Sequence, residues 1–341
     1  MSHDDTIRRI DLKVAGVGAE PRERLVSLFM YHYVRDTANS PFPEIKALSI
    51  KRFQWQLDFL SRHFNIIDPA HLIAALHEGA ELPRRAAMLT FDDGYSDHYE
   101  NVFPILMDRK LSGLFFPPAI ATSRTKLLEV NKIHFILAAS SDKAALAHKV
   151  AELVKRYAER SDVRRVSEYL KEYAVADRFD SADVIFVKRM LQIALPDDVS
   201  SEVTDDLFRS IVSSDELGFA EHLYASVANW KEMLSAGMMV GGHGVQHVWM
   251  DKLDAKEQAH EVSKTLDFLT NIGVDVNKGW SMCYPYGGYD ASLVSILREQ
   301  RCIAAFTTEV RTADIVFDNP LMLPRLDTRD LPAEDGYFDP V

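Results

Sequence analysis

The sequence predicts an α/β fold built from parallel βαβ units. Short apolar runs of strand length alternate with amphipathic helical patterns along most of the 341 residues. Several apolar runs end at polar motifs, and chemistry in parallel α/β folds gathers at the carboxyl ends of strands. One segment, residues 121–220, interrupts the alternation where a loop of a few residues would be enough. These three observations define the fold class and its one irregularity.

The elements follow from local pattern. The predicted strands are short and rich in apolar residues, and they lie at 25–34, 65–67, 86–91, 113–116, 238–241, 280–284, 302–307 and 321–325. The predicted helices carry apolar residues at helical spacing, and they lie at 49–63, 70–78, 96–109, 220–235, 254–271 and 291–300. Strands that are separated by helices of this length are expected to pair in parallel.

Residues 121–220 are predicted to form a helical insertion. The segment is charged, and apolar residues recur at helical spacing within it, as at 143–159 and 163–173. It serves either as a solvated decoration or as a cap over the site or a dimer surface. We favour the cap or dimer surface, because loops at the active face of such folds carry specificity.

Composition excludes several classes of partner. The net charge of −12 argues against nucleic acid or an anionic membrane as a bulk partner. The two cysteines, Cys283 and Cys302, are too few for a disulfide framework and fit a reducing compartment. No apolar stretch reaches the length of a membrane span, and the charged N-terminus does not read as a signal peptide. The sequence therefore predicts a cytoplasmic protein.

The motif Thr90–Gly94, TFDDG, follows the apolar run at 86–91. Side chains at successive strand positions point to opposite faces, so Asp92 and Asp93 can perform different functions at one site. A hydrolase needs this division, with one carboxylate on a metal and the other accepting a proton from water. Asp-Gly is also a common turn dipeptide, and this motif alone does not separate the two interpretations.

A second motif, His243–His247, follows the apolar run at 238–240. Histidines at i and i+4 lie on the same side of a helical turn, a spacing that suits two ligands of one cation. With Asp93 they form a two-histidine, one-carboxylate set, which is typical of catalytic metal sites with open positions. A lone pair of histidines at this spacing is more often a solvated helix face.

The chain resembles the polysaccharide deacetylase family, the NodB-homology carbohydrate esterases. The resemblance rests on Thr90–Gly94, His243–His247 and Tyr284–Asp290, with looser features at Tyr31-His32-Tyr33 and Leu323-Pro324-Arg325. It implies a distorted (β/α) barrel of the NodB-homology type, a divalent metal and the removal of N-acetyl groups from sugars. The implied domains are an N-terminal extension at 1–24, a barrel at 25–330 that the insertion at 121–220 interrupts, and a tail at 331–341.

The resemblance also implies roles. Asp93, His243 and His247 hold the metal; zinc suits this ligand set, and the same set accepts iron, cobalt or nickel. Asp92 is the general base, and the backbone N–H of Tyr286 helps to stabilise the oxyanion. The Gly287-Gly288 pair lets the backbone approach the substrate closely. The residues expected to contact substrate are Pro285, Gly287, Tyr289 and Tyr95, and for the two tyrosines core packing is an equal alternative.

Two departures from the family pattern concern catalysis. The family's third motif usually supplies an arginine that orients the catalytic aspartate, and Met282-Cys283 takes its place here. Arg325, at the end of the last predicted strand, either supplies that guanidinium or forms a surface ion pair.

The family also commonly has a late Leu-x-His that protonates the leaving amine, but no histidine follows His260. The first and last strands of a closed barrel are neighbours, so His32 can reach the same space as general acid. The alternative interpretation is that His32 is a core histidine with satisfied hydrogen bonds.

Three functions follow. The leading hypothesis is a metal-dependent N-deacetylase that acts on a nucleotide- or lipid-linked saccharide precursor in surface-polysaccharide biosynthesis, such as that of O-antigen. The second keeps the site and hydrolyses a cyclic amide or a formamide. The third is a non-catalytic sugar-binding protein of deacetylase fold, which the two departures favour and the second carboxylate, Asp92, argues against. The expected partner is a small-molecule or oligosaccharide substrate, and a homo-oligomer through the insertion stays open.

Overall fold

The computed structural model describes residues 24–176 and 180–332. The predicted extension at 1–24 and tail at 331–341 fall almost wholly outside the described residues. The described residues divide into two compact units, which we call the barrel unit (24–35, 47–125 and 221–332) and the helical unit (36–46, 126–176 and 180–220). Among the described residues, no helix combines the length and the apolar composition that a membrane crossing requires.

The strands of the barrel unit are short. They are β1 Leu25–Tyr31, β2 Asn65–Ile66, β3 Ala86–Asp92, β4 Leu114–Phe116, β5 Met239–Val240, β6 Trp280–Cys283, β7 Cys302–Phe306, β8 Ala313–Asp314 and β9 Leu326–Asp327. Every residue of β3 is buried, as expected for a strand that is covered on both faces. The core packs around it, because the ring of Phe91 stacks on those of Tyr31 and Phe115 with centroids 5.2 Å and 4.6 Å apart.

The α-helices fill the connections. They are α1 Ile50–His63, α2 Pro69–His77, α3 Phe103–Asp108, α4 Ala119–Ser123, α5 Glu129–Ala139, α6 Lys143–Val154, α7 Val166–Tyr173, α8 Ala182–Arg189, α9 Asp197–Ile211, α10 Glu216–Leu223, α11 Val227–Ser235, α12 Ala255–Ile272 and α13 Ala291–Glu299. Several begin at side-chain caps that the sequence encodes locally. Asp254, for example, accepts hydrogen bonds from the first turn of α12 in a capping box with Glu257.

The parallel strands form a closed ring, which confirms the predicted (β/α) barrel. In the main sheet β5, β4, β3 and β1 are hydrogen-bonded in that order, and β6 pairs with β7 in a second sheet. A bridge between Gly242 and Met282 joins β5 to β6, and one between Phe306 and Leu323 joins β7 to the last segment. That segment continues into β9, which pairs with β1 and closes the ring.

The register of the ring determines which side chains meet. Tyr31 of β1 lies opposite Phe91 of β3, so the next residues, His32 just after β1 and Asp92 at the end of β3, lie side by side. Asp92 lies opposite Phe116 of β4. The carboxyl ends of these strands therefore converge, as barrels require for their active sites.

Several predicted elements are wrong in extent; the strand predicted at 25–34, for example, ends at Tyr31. Two of the differences have a clear local cause. The helix predicted at 220–235 is divided, because Ser226 caps a new helix, α11, in a capping box with Asn229. The strand predicted at 321–325 forms only the bridge at Leu323, since the following Pro324 has no N–H to continue the ladder, and regular strand begins at Leu326. β8 pairs antiparallel with β1 and was not predicted.

The helical unit contains α5 to α9 and is stabilised by a buried lysine. Lys132 of α5 is only 1% exposed, and its ammonium group forms ion pairs with Glu129, Asp205 and Glu216. Three carboxylates around one buried ammonium offset the cost of removing that charge from water. The role of this unit as a cap or a dimer surface stays a prediction.

Candidate active site

Three non-glycine residues of the three motifs adopt a left-handed backbone. The φ angles are 75° at Asp93, 55° at His247 and 56° at Tyr286. Such conformations are uncommon outside glycine, and they cluster at functional sites where the surrounding structure holds them. At Asp93 the turn follows directly after β3, and the Asp93 N–H donates to the carbonyl of Phe116 at 3.1 Å. The local pattern of the sequence gives no sign of these angles.

Asp93 and the two histidines of the second motif form one cluster. Oδ1 of Asp93 lies 3.4 Å from Nε2 of His243 and 3.2 Å from Nε2 of His247, and all three side chains are buried. Within the described ranges this carboxylate oxygen has no hydrogen-bond partner. Ligand atoms around a tetrahedral zinc at bond lengths of about 2.0–2.2 Å are roughly 3.3–3.6 Å apart. The cluster therefore fits a divalent cation of this size.

A hydrogen bond orients the His243 ring for cation binding. Its Nδ1 lies 2.8 Å from the carbonyl oxygen of Cys283, and a carbonyl can only accept. Nδ1 therefore carries a proton, and Nε2 is the ring nitrogen that faces Asp93 and would bind a cation. This arrangement, in which the second ring nitrogen donates to the protein, is typical of metal-binding histidines.

The two histidines do not lie on a helical turn, so that part of the sequence prediction is wrong. Residues 241–249 contain no helix, and the chain instead bends at Gly244, where φ is 68°. The carboxylate of Glu261 on α12 accepts a hydrogen bond from the N–H of Val245 at 2.6 Å and so braces the loop. Glu261 was missed, although an acid on the buried face of an amphipathic helix is a signal that sequence analysis can use.

Asp92 is bound by Arg325, which lies 233 positions later in the sequence. Nη1 and Nη2 of Arg325 donate to the two carboxylate oxygens of Asp92 at 2.8 Å and 2.7 Å. Burial opposes the charge of Asp92, but the Arg325 guanidinium outweighs it and holds the pKa of that carboxyl below its usual value. Arg325 precedes β9 and does not end a strand, which corrects its predicted position.

Arg325 is itself fixed from every side. It is 1% exposed, its Nε donates to the carbonyl of Thr307 at 3.0 Å, and its Nη1 donates to Oγ1 of Thr90 at 3.1 Å. Its Nη2 also lies 3.0 Å from the sulfur of Cys283. The alternative of a surface ion pair is therefore wrong, and Asp92 has a rigid, charged support.

His32 lies beside Asp92 and is open to solvent. Its Nε2 is 4.0 Å from Oδ2 of Asp92, and its side chain is 41% exposed, so it is not a core histidine. The helical segment that follows the first motif fixes the backbone of His32, because Nε2 of His98 donates to the carbonyl of His32 at 3.0 Å. Asp97, the residue before His98, adds a second hydrogen bond to this segment, because its Oδ2 accepts from the N–H of Val34 at 3.0 Å.

Histidines on predicted helices, such as His98 within 96–109, are expected to be solvated, but for His98 that expectation is wrong. Its ring is fully buried between Phe91, Tyr95 and Phe115. Burial lowers the pKa of His98 to about 4, so the ring is neutral at neutral pH and acts as a hydrogen-bond donor. Asp97 and His98 directly follow the first motif, and that proximity is the signal that could have identified them.

Of the two interpretations of Tyr95, substrate contact by its ring is wrong and core packing is confirmed. Its ring is 0% exposed and lies between those of Tyr33 and Tyr224, with centroids 3.9 Å and 6.5 Å away. Its hydroxyl donates to Oδ2 of Asp93 at 2.6 Å. Core packing was the alternative for this residue, and the hydrogen bond adds a link to the site.

The aromatic residues of the third motif lie beside the histidine cluster. The ring of Tyr286 meets that of His247 edge-on at 4.5 Å and stacks on Trp249 at 4.7 Å. Tyr289 stacks on the buried Tyr284, with ring centroids 4.9 Å apart. Tyr286 and Tyr289 are both half-buried; the role of the Tyr286 N–H at the oxyanion and the contact of Tyr289 with substrate stay predictions.

The structure around Gly287 requires glycine at this position for a reason that does not involve substrate. Its φ is 76°, and a Cβ there would lie 2.2 Å from Oγ1 of Thr308. A Cβ at Gly288 would likewise lie 2.5 Å from Oδ1 of Asp251. Pro285 is buried, which gives no support to direct substrate contact by its ring. Packing within the chain thus accounts for both glycines.

Sequence comparison connects the chain to known proteins. The family model described as polysaccharide deacetylase matches residues 79–173 and 220–302. The poly-beta-1,6-N-acetyl-D-glucosamine N-deacetylases of two Escherichia coli strains are 29% identical to the chain over 87 residues, which is 25% of this chain. The matched segment spans only 12% of the length of those relatives.

Solved structures share the fold over most of the chain. The Streptococcus pyogenes deacetylase PplD, solved in complex with acetate, has a TM-score of 0.53 and 16% identity, covering 90% of this chain and 93% of its own. IcaB from Ammonifex degensii has a TM-score of 0.51 and 18% identity, covering 92% and 93%. A de-N-acetylase from Aggregatibacter actinomycetemcomitans has a TM-score of 0.53 and 13% identity, covering 93% and 100%. These likenesses concern the fold.

Proposed function

This chain belongs to the polysaccharide deacetylase family, and we propose that it is a cation-dependent hydrolase that removes the acetyl group from an N-acetylated sugar. The observation that carries the proposal is that the two neighbouring carboxylates, Asp92 and Asp93, have different partners. Asp92 is bound by an arginine, whereas one oxygen of Asp93 faces two histidines. A site that only binds sugar has no need of a second, differently supported carboxylate beside a cation.

In the proposed reaction each side chain has one task. Asp93, His243 and His247 would hold a divalent cation, which supplies Lewis acidity to the attacking water and to the acetyl carbonyl. We propose zinc, because two imidazoles and one carboxylate suit it, although iron, cobalt and nickel accept the same set.

Proton transfer falls to the other residues. Asp92, which its lowered pKa keeps ionised at neutral pH, accepts the proton of the attacking water. The backbone N–H of Tyr286 donates to the oxyanion, and the exposed imidazole of His32 protonates the leaving amine. The proximity of His32 and Asp92 supports the two proton transfers, and the role of the Tyr286 N–H is proposed from the family resemblance.

The substrate is proposed from family and composition together. The Escherichia coli relatives are named for the polymer poly-beta-1,6-N-acetyl-D-glucosamine. For this chain we propose a nucleotide- or lipid-linked precursor of a surface polysaccharide, processed in the cytoplasm. The two cysteines are free and buried, which supports a reducing compartment.

The first prediction concerns the cation. The double variant His243→Ala, His247→Ala is expected to lose a cation that the wild-type protein binds at about one per chain, because two of three ligands are gone. Metal content is measured after zinc reconstitution and desalting. The matched control is His71→Ala, His77→Ala, which removes two histidines outside the cluster, whose Nε2 atoms lie 2.8 Å and 2.7 Å from the backbone carbonyl oxygens of Glu81 and Ile303. Equal metal content in the two double variants would contradict the proposed site.

Acetate release then tests the reaction. The reconstituted protein is offered a nucleotide-linked N-acetyl sugar, oligomers of β-1,6-linked N-acetylglucosamine and a small cyclic amide. Acetate from the nucleotide-linked sugar supports the proposed precursor, and acetate from the oligomers moves the substrate to the polymer. Ring opening of the cyclic amide alone would favour the second enzymatic hypothesis.

The second prediction concerns His32. The variant His32→Gln is expected to lower kcat by roughly 10²- to 10⁴-fold, the usual contribution of a positioned proton donor. Glutamine keeps a polar side chain of similar reach, but its neutral amide is too weak an acid to protonate a leaving amine. His260→Gln, on the exposed face of α12, is the control. An unchanged kcat and pH profile in His32→Gln would show that another group is the acid.

A further inference from the structure

Tyr95 is a buried phenol whose polar group is directed at the proposed cation site. The ring is enclosed by Tyr33 and Tyr224, and the hydroxyl lies 2.6 Å from Oδ2 of Asp93. An ionised carboxylate only accepts hydrogen bonds, so the phenol is the donor in this pair. A hydrogen bond of this length to a charged acceptor belongs to the stronger class.

The two oxygens of Asp93 are therefore in different environments. Oδ2 is held by Tyr95, whereas Oδ1 faces Nε2 of both His243 and His247 and has no hydrogen-bond partner among the described residues. A free carboxylate can rotate about its last torsion and exchange one oxygen for the other. With Oδ2 bound, that rotation is blocked, and only Oδ1 is presented to a cation.

We propose that Tyr95 is a positioning residue that makes Asp93 a one-oxygen ligand of the divalent cation. The inference deepens the proposed function and rests on its cation site. Partners of this kind around a ligating carboxylate commonly govern metal affinity, because they fix the ligand before the metal arrives. The family motif ends at Gly94, so this assignment adds a residue beyond it.

A purely structural role for Tyr95 makes a different prediction. If the ring mattered only as part of the stack with Tyr33 and Tyr224, then Tyr95→Phe would preserve its function, because phenylalanine keeps the same ring. If the hydroxyl positions Asp93, the same variant changes cation binding while the stack remains. Metal affinity thus separates the two roles, and catalytic activity is not needed.

The test compares Tyr95→Phe with the control Tyr224→Phe, a buried tyrosine of the same stack. Each protein is stripped with a chelator, and its zinc Kd is measured by competition with a chelating dye. We expect Tyr95→Phe to bind zinc roughly 10- to 100-fold more weakly than wild type and Tyr224→Phe to bind within about twofold. The cobalt-substituted proteins should also differ, because binding through both oxygens raises the coordination number and weakens the visible absorption bands.

The outcomes are distinct. A zinc Kd for Tyr95→Phe within about twofold of wild type, with the same cobalt spectrum, overturns the role of Tyr95 and leaves the cation site intact. A wild-type protein that binds no zinc or cobalt overturns both the inference and the proposed function.

Folding is monitored by circular dichroism of the cation-free proteins. The further variant with 4-aminophenylalanine at position 95 offers a weaker donor on the same ring, and its zinc Kd should lie between those of wild type and Tyr95→Phe. Should Tyr95→Phe fail to fold, a Kd of this variant equal to that of wild type overturns the proposal.

Discussion

Replacing Asp92 by asparagine is expected to lower kcat by roughly 10²- to 10⁴-fold while the protein still binds one cation. The carboxylate oxygens of Asp92 are bound by Arg325, whereas the cation ligands cluster around Oδ1 of Asp93. Asparagine has nearly the same shape but cannot accept a proton at neutral pH. Turnover should therefore fall without loss of the cation.

The control for this variant is Asp318→Asn. Asp318 is also held by an arginine through both oxygens, since Nη1 and Nη2 of Arg311 donate to it at 2.7 Å and 2.8 Å, but neither residue belongs to the site. Its kcat should equal that of wild type. The measurements are kcat on the best acetate-releasing substrate and metal content after reconstitution.

Two outcomes would contradict the assignment of Asp92. Loss of the cation in Asp92→Asn would make Asp92 a ligand, an arrangement that the proximity of Asp92, His243 and Cys283 allows geometrically. Retention of wild-type kcat would show that a different group accepts the proton. If the wild-type protein is active and Asp92→Asn abolishes that activity, the non-catalytic sugar-binding hypothesis is excluded.

Replacing Arg325 by methionine is expected to have the largest effect on stability. The substitution leaves the buried Asp92 without its cationic partner, and breaking a buried ion pair in this way typically costs about 3–5 kcal/mol. We expect kcat to fall as well, because Asp92 loses its orientation. The free energy of unfolding by urea, measured on cation-free protein, checks the first expectation.

The pH dependence of this effect has a defined sign. In the wild-type protein the pKa of Asp92 is lowered, so its contribution to stability is present above its unfolded value of about 3.9 and is lost as the pH falls. Without Arg325, burial is expected to raise that pKa, and stability is then lost as the pH rises. The difference in unfolding free energy between wild type and Arg325→Met should therefore grow from pH 4 to pH 7.

Two further variants make the test specific. Arg311→Met breaks the half-exposed pair with Asp318 and should cost only about 0–1 kcal/mol. Adding Asp92→Asn to Arg325→Met removes the unpaired charge and should recover much of the stability, though not the activity. A similar cost for Arg325→Met and Arg311→Met, or no dependence on pH, would show that Arg325 does not support Asp92 as proposed.

The order of elements in the barrel was predictable from the sequence. Strands have a side-chain period of two and helices one of 3.6, so burial leaves a local pattern that the strand at 86–91 and the helix at 254–271 display clearly. The errors fell where local signals are weak, such as the division at Ser226 and the short strands β8 and β9.

The candidate site was predictable in part. The motifs identified Asp92, Asp93, His243 and His247, because polar residues that directly follow buried strands must meet at one end of a parallel barrel. The geometry of the second motif was not predictable, since the histidines converge through a positive φ at Gly244 and not through a helical turn. Dihedral angles of this kind are set by neighbours that the local sequence does not reveal.

By itself the sequence determined the parallel α/β class, the places where strands end and the residue types available there. Only the tertiary structure decided which of these residues support one another. Arg325 reaches Asp92 across 233 positions because the last segment closes the ring, and Tyr95 turns inward to Asp93 because two other tyrosines enclose it. Periodicity reports burial one residue at a time, whereas such pairs depend on register and closure, which exist only when the whole barrel is assembled.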